Sequence, residues 1–588
     1  MNYALLSIAS GLLVCSLSPC IAAPLLTNLQ AQYRCGQVFI TWDEPAEWGG
    51  TATVYSHSQP ITEASLAQAT VLVEGLGAAS AYDWFLHPEA FGRRMEPDKQ
   101  TGALPEVPHK GFRIHPGGER LNPDSGLFVH TVTDADPTTC YYAVTAAGAD
   151  GVQDLSVVAG VNSLPGPIQQ QPAPIEPIWQ LDDAPPQLPV ATNLPFHLRL
   201  HGAGGRGGQT YLAFGDASMG WREGLPMMFG VAVGADAVII SPTDRTWIGR
   251  ILEGGTSWQT IMPTVGTWWY GYNSNINDGA KMAEGVPTNF TERQLLFIID
   301  WVKRSYGTDP NRTYVYGSSM GGGGGMSFAL RHPEIFAGIR CNVPIVAYLD
   351  SDEGKAEYRF EALFGGMDRN CDEGIPCRER LDARAFIRKT DADLPLVVMT
   401  AGRADPTSPW WPNPELFRVM QEKRQPLLAA WNNETHGAVD PNSPEDLRAY
   451  NALTRFHTFA LNKSYVVFTN ASHNSDPGTG PKAEGDLIGH INRGLSFSEP
   501  VDEADHYEVV IRADPEIAPL PITVDLTPRR RQAFKPEPGT RVVATNTDAA
   551  GNELQRQTLT VDAKGLITVV GFRISSAEGN MLKLRVGG

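Results

Sequence analysis

Thr313-Tyr-Val-Tyr-Gly-Ser-Ser-Met-Gly-Gly322 is a β-branched and aromatic run that breaks into a serine flanked by glycines. Gly317 and Gly321 stand two residues either side of Ser319, the G-x-S-x-G spacing of a turn in which a strand passes sharply into a helix. The residue at the apex of such a turn is held in a strained backbone conformation, so its neighbours must be small. The pattern is short and needs context: Thr313 to Tyr316 supply a strand before it, and Met326 to Arg331 a helix after it. Between them lies the uninterrupted run Gly321 to Gly325, and each glycine costs a helix about 1 kcal/mol against alanine. The run is expected either to let the helix approach the sheet very closely or to delay the helix start.

Outward from this turn, helical and strand patterns alternate. Phe196 to Leu200 reads as a strand and runs into His201-Gly-Ala-Gly-Gly205, while Ala237-Val-Ile-Ile240 is wholly apolar, as in a strand covered on both faces. Thr291 to Tyr306 follows helical spacing, with Leu295, Ile298, Ile299 and Val302 on one side and Thr291 with Gln294 as an expected capping box. Leu396 to Thr400, Pro414 to Lys423 and Leu427 to Trp431 continue as strand, helix and strand. This β-α-β rhythm predicts an α/β fold with a doubly wound, mostly parallel sheet.

Ligands of open α/β sheets bind outside the C-terminal ends of the strands. Two of the strands end there in chemically capable loops, Ala401-Gly-Arg-Ala-Asp405 and Asn432-Asn-Glu-Thr-His-Gly437. A serine hydroxyl is a weak nucleophile until a base takes its proton, and the base needs an acid to orient it. Asp405 and His436 are the natural partners of Ser319. Asp391 and Asp393 precede their strand rather than follow it, and His473 would need an additional helix between it and the acid.

His201-Gly-Ala-Gly-Gly205, Gly317-Ser-Ser-Met-Gly-Gly322 followed by Ala329-Leu-Arg-His-Pro-Glu-Ile-Phe336, Ala401-Gly-Arg-Ala-Asp405 and Thr435-His-Gly437 together resemble secreted α/β-hydrolase esterases of the polyhydroxybutyrate depolymerase and feruloyl esterase group. The resemblance covers roughly Leu194 to Gly480. It implies an acyl-enzyme on Ser319, His436 as general base and acid, and Asp405 holding the imidazole tautomer. It also implies an oxyanion site from the backbone N–H of Met320 with that of Ala203 or Gly204, and no cofactor. Trp268, Trp269 and Tyr270, with Trp410 beside Asp405, are expected to face substrate as an aromatic cleft suited to an aryl, sugar or polyester chain. His and Cys show no metal-ligand spacing, and His201 to Gly207 lacks the later acidic residue of a dinucleotide fingerprint.

The remaining chain is organised around this unit, and its 588 residues suggest about three domains at ~100 to 200 residues each. Asn2 to Ala23 carries no charge and an apolar run ending in Cys20-Ile-Ala-Ala23, which predicts a signal peptide over 1–23 and a secreted or periplasmic destination. A net charge of -18 argues against nucleic acid as a partner, and no stretch reads as a membrane span. Residues 24–163, with a strand bearing Trp42 before Pro45 and a Tyr-rich strand at Tyr141 to Ala146, resemble a fibronectin type III domain. Cys35 and Cys140 are expected to bridge its sheets, Cys371 and Cys377 to staple a loop, and Cys341 to be a buried inert thiol. Residues 164–189 are Pro- and Gln-rich and read as an extended linker, followed by the catalytic unit over 190–498 and a small β-sandwich over 499–588.

The reading is a serine esterase acting on a bulky or polymeric ester. Its rivals are a serine peptidase of the prolyl-oligopeptidase type and a non-catalytic binding protein on a hydrolase scaffold.

Overall fold

A computed structural model of the chain describes residues 25–83, 100–102, 109–187, 193–202, 211–215, 226–247, 264–276, 281–347, 357–436 and 458–587. The predicted signal peptide, and Ala203 and Gly204, lie outside the described residues. Among the described residues no helix is long and apolar enough to cross a membrane.

The centre is a ten-stranded sheet. Its strands in chain order are β1 (Ile178–Trp179), β2 (Phe196–Leu200), β3 (Tyr211–Phe214), β4 (Pro226–Val233), β5 (Val238–Pro242), β6 (Thr313–Ser318), β7 (Gly338–Asn342), β8 (Leu396–Gly402), β9 (Leu427–Asn432) and β10 (Gly489–Ile491). Across the sheet they lie in the order β10-β9-β8-β7-β6-β2-β5-β4-β3-β1. The run from β9 to β5 is parallel, and the strands outside it pair antiparallel. Helices α1 (Phe290–Tyr306), α2 (Met320–Arg331), α3 (Ala383–Lys389) and α4 (Pro412–Glu422) cover the parallel strands, and one core unites Leu198, Val315, Ile298, Phe328, Val397 and Phe417. This is the α/β-hydrolase fold. In α1 the N-cap is Asn289 without a side-chain cap bond, and Thr291 and Gln294 are buried rather than forming a capping box.

The N-terminal β-rich unit is two sheets around a shared core of Val38, Ile40, Trp42, Val54, Tyr142 and Val144. It is fastened to the central sheet. Phe39 and Phe112 pack edge-on against Phe214 of β3, with ring centroids 5.4 and 5.8 Å apart, and Ile178 and Met228 join the same apolar cluster.

The Pro-rich segment read as an extended linker is bound into both neighbours. Ile168–Gln169 adds to the sandwich, Gln170 accepts the Tyr142 hydroxyl at 2.5 Å, and Ile178–Trp179 becomes the edge strand β1. Its lack of periodicity reflects strands only two residues long, too short to show alternation.

At the other end, Tyr465–Thr469, inside the 190–498 span read from sequence as the catalytic unit, pairs instead with Ile522–Arg529 in a C-terminal sandwich built around Tyr507, Val524, Leu526 and Phe572. Arg529 donates to Asp393 at 2.5 Å, Arg424 to Asp562 at 2.7 Å, and the Tyr465 hydroxyl to Leu394 O at 2.7 Å. These bonds grip residues just before β8 and β9, at the end of the sheet away from Asp405 and His436.

The expected disulfides are absent: Cys35, Cys140, Cys341, Cys371 and Cys377 are free thiols. Cys140 points into the sandwich core, while Cys35 sits in the turn before Gln37. The loop between Cys371 and Cys377 is closed by main-chain bonds instead, Cys371 N–H to Ile375 O at 2.8 Å and Cys377 N–H to Arg369 O at 2.9 Å. Burial, helped by the neighbouring Cys371, pushes the Cys377 thiol up to about 12. Cys341 is the buried, unreactive thiol expected: it donates to Gly322 O at 3.2 Å, and burial raises its pKa.

Candidate active site

Strand β6 ends at Ser318, and α2 begins at Met320 with no delay, so Ser319 alone makes the turn. It adopts φ 55° and ψ −124°, a conformation that L-residues avoid at a cost of roughly 1–3 kcal/mol. Two main-chain bonds hold it there. Its N–H donates to Asn342 O on β7 at 2.9 Å, and its carbonyl accepts Gly323 N–H at 3.0 Å. The motif glycines are required by space: a Cβ on Gly317 would collide with Gly321 O, and one on Gly321 with Leu200 O. The glycine run therefore serves close approach, the first of the two expectations, and the helix starts at once because packing against β2 and β6 outweighs its poor propensity.

The acid and the imidazole come from the loops after β8 and β9, neighbours on the far side of β7 from Ser319. Asp405 is 1% exposed. One of its oxygens accepts the N–H groups of Thr407 at 2.7 Å and Ser408 at 2.9 Å; the other lies 2.7 Å from His436 Nδ1. His436 Nε2 lies 2.9 Å from Ser319 Oγ. With the carboxylate ionised, Nδ1 carries the imidazole proton and Nε2 presents its lone pair to the serine hydroxyl. The three side chains are thus in hydrogen-bond series, with the serine strained and the carboxylate buried.

Met320 is the first residue of α2, so its N–H has no partner within the helix and lies at the positive end of the helix dipole. Gly202, just past β2, lies against the same point, since a Cβ there would be 2.9 Å from the Ser319 Cβ. Ala203 and Gly204 follow it immediately.

The aromatic residues are a correction. Trp268, Trp269, Tyr270 and Trp410 are 5%, 0%, 1% and 0% exposed and belong to the core of the sheet rather than to a substrate-facing cleft. Three of them are claimed by ring or guanidinium neighbours: Trp268 by Phe360, Tyr270 by the Arg380 guanidinium 4.7 Å from its ring, and Trp410 by Phe417, Trp431 and Arg403. Burying large apolar rings outweighed the loop position that pointed outward.

The rival residues lie elsewhere. His473 Nε2 bonds Arg493 O at 2.7 Å, and Asp391 and Asp393 bind Lys564 and Arg529 of the C-terminal sandwich. Two supporting residues were given no role from sequence. Arg403, buried two residues before Asp405, donates to Lys482 O, Glu484 O and Asp486 O at 2.5, 2.7 and 2.8 Å, tying residues 482–486 beside the acid. Asn342 accepts the Thr400 hydroxyl at 2.6 Å, linking the strand that holds Ser319 to the one that carries Asp405.

A strained serine at a strand–helix turn, with an acid and an imidazole following it after later strands of a parallel sheet, defines a serine hydrolase of the α/β-hydrolase fold. Comparison with known proteins agrees: residues 290–464, which contain Ser319, Asp405 and His436, match the prolyl oligopeptidase family model. No curated protein matches. Among solved structures, the chain is similar to an S-formylglutathione hydrolase from Agrobacterium tumefaciens, 17% identical over 47% of this chain and 87% of that one, with a TM-score of 0.31. It is also similar to esterase B from Lactobacillus rhamnosis, 12% identical over 47% and 80% with a TM-score of 0.27, and to a putative dipeptidyl aminopeptidase IV from Bacteroides ovatus, 11% identical over 73% and 56% with a TM-score of 0.30.

Proposed function

We propose that this protein is a secreted or periplasmic serine esterase that hydrolyses carboxylic ester bonds of a bulky or polymeric substrate, a polyester or an aryl or acyl ester of a polysaccharide. The observation that carries the hydrolytic chemistry is the series Asp405, His436, Ser319 at 2.7 and 2.9 Å. Ser319 Oγ attacks the ester carbonyl carbon as its proton passes to His436 Nε2. The oxyanion of the tetrahedral intermediate is received by the Met320 N–H together with that of Ala203 or Gly204, and one such donor is worth about 3 to 4 kcal/mol. His436 then gives the proton to the leaving alkoxide as the C–O bond breaks, leaving an acyl-Ser319, and water repeats the sequence to release the acid.

The polymeric or aryl ester is supported by the four motifs shared with depolymerases and feruloyl esterases. The fibronectin type III reading of the N-terminal unit is supported by its two-sheet sandwich. A second reading, a serine peptidase, is favoured by the prolyl oligopeptidase family match over residues 290–464. The test is a panel of nitrophenyl esters, feruloylated and acetylated sugars, polyesters and peptide nitroanilides, run on wild type and Ser319→Ala. Ester turnover that vanishes in the variant is expected. A higher kcat/KM on the anilides assigns the protein to the peptidases, and no turnover of any member overturns both readings.

A further inference from the structure

Asp244 follows β5 and is 1% exposed, yet its carboxylate contacts none of the three residues at the serine. It holds a turn instead. One oxygen accepts the Thr267 N–H at 3.1 Å and the Thr267 hydroxyl; the other accepts the Trp269 N–H at 3.2 Å. The Thr267 hydroxyl also lies 2.6 Å from that of Thr291 in the first turn of α1. Three donors converge on one buried group, and a carboxylate is the side chain that accepts all three without donating.

The turn so held is unusual. Trp268 and Trp269 have φ of 58° and 60°, two consecutive non-glycine residues in the left-handed region, which persists only where the surroundings over-determine it. The same turn presses on the helix behind the nucleophile at two points. A Cβ on Gly324 would lie 2.6 Å from Trp269 Cβ and 2.8 Å from Trp268 O, and one on Gly266 would meet the Met320 terminal methyl at 3.4 Å. Met320 adjoins Ser319, and Gly324 is one helical turn further on.

We infer that Asp244 is a positioning residue for the nucleophile: by fixing the turn at Thr267 to Tyr270, it sets where the first turns of α2, and with them Ser319 Oγ and the Met320 N–H, stand relative to His436. The inference rests on the serine-hydrolase reading. It gives the paired tryptophans a role as a fixed wedge behind the helix rather than a surface for substrate. Substrate binding is untouched by such a wedge, whereas the alignment of attacking and stabilising groups depends on it, so its loss falls on kcat and not on KM.

The test measures kcat and KM on a nitrophenyl ester, the rate of Ser319 labelling by a fluorophosphonate, near-ultraviolet circular dichroism and melting temperature. The variants are Asp244→Asn, which puts an amide where the carboxylate accepts three donors, and Gly324→Ala, which pushes the same turn while leaving Asp244 in place. Both are expected to lower kcat and the labelling rate together by ~10- to 100-fold, with KM within about twofold and an altered tryptophan dichroism. A folded Asp244→Asn protein with wild-type kcat and labelling rate overturns the inference. If that variant does not fold, a folded Gly324→Ala protein with wild-type values does so. Labelling assumes no substrate class, so a wild type that is labelled but inactive on esters still tests Asp244. A wild type that is neither labelled nor active overturns the hydrolase reading and the inference with it.

Discussion

The α-carbon of Gly321 faces the carbonyl oxygen of Leu200 with no room between them for a Cβ. Helix α2 is thereby pressed against the end of β2, two residues before Gly202, which lies against Ser319. Alanine at 321 must displace backbone on one side or the other, because the atoms its Cβ would strike, in Leu200 and His201, are all main chain. Gly321→Ala is expected to cost more than about 3 kcal/mol or to yield insoluble protein, whereas Gly322→Ala, whose Cβ would meet Pro344 at 3.1 Å, is expected to cost roughly 1 kcal/mol. Urea unfolding of the two variants checks the order.

Asp405→Asn keeps the size of the side chain and leaves an oxygen for the N–H groups of Thr407 and Ser408, but it turns an NH2 toward His436 Nδ1. The imidazole must then protonate Nε2, the atom that should accept the serine proton. A fall in kcat of roughly 10³- to 10⁴-fold with a melting temperature within a few degrees of wild type is the expected result. Steady-state kinetics on the best substrate of the panel reads it, and an undiminished kcat would remove Asp405 from the relay.

How much of this was legible in sequence depends on how local each cause is. That Ser319, Asp405 and His436 would come together was readable because the elbow is a local pattern and the other two fall at the ends of strongly apolar strands in a fixed chain order. The fate of Trp268, Trp269, Tyr270 and Trp410 was not, since an aromatic in a long inter-strand segment looks the same whether it faces a cleft or the core. Asp244 was hidden for a related reason: its donors lie 23 and 25 residues away, and nothing in Thr243-Asp-Arg245 announces a turn to be held. The strands Tyr211–Phe214 and Pro226–Val233 escaped because the first is only four residues long and the second, opening on Pro-Met-Met, lacks alternation.

Trp410→Ala separates the core role of that side chain from the cleft role its position had implied. It is fully buried against Phe417, Trp431 and the Arg403 guanidinium. Removing it is expected to cost about 3 to 5 kcal/mol. The KM of the folded fraction should stay within about twofold of wild type, and a large rise in KM without loss of stability would return Trp410 to the substrate.

Asp244 also makes stability depend on pH. Burial raises its carboxyl to about 7 in the folded chain, against about 3.9 unfolded. The folded state therefore holds the proton more tightly. The corresponding stability is full below pH 4 and is lost as pH rises through 7, up to about 4 kcal/mol in all. The turn survives protonation because the Thr267 hydroxyl can accept from the carboxyl and donate to Thr291. Asp244→Asn lacks this slope, so its deficit relative to wild type should be larger at pH 5 than at pH 8 in urea unfolding. A deficit independent of pH would place the proton elsewhere.

Arg529 tests whether the C-terminal sandwich is a structural part of the catalytic unit or a passenger. It is 3% exposed, donates to Asp393 at 2.5 Å, and also reaches Ala392 O at 2.9 Å and Asp391 O at 3.1 Å, all just before β8. Arg529→Met keeps the apolar stem and strips these bonds, together with those to Lys423 O and Arg424 O, leaving Asp393 and four carbonyls to water that enters at the interface. The expected loss is about 2 to 3 kcal/mol of stability, since Asp393 is partly solvated. The grip is at the end of the sheet opposite Asp405 and His436, so kcat and KM below the new melting temperature should match wild type. A variant of unchanged stability and unchanged kcat would make the sandwich a passenger, and one of unchanged stability but lower kcat would show that the sandwich acts on the site through β8.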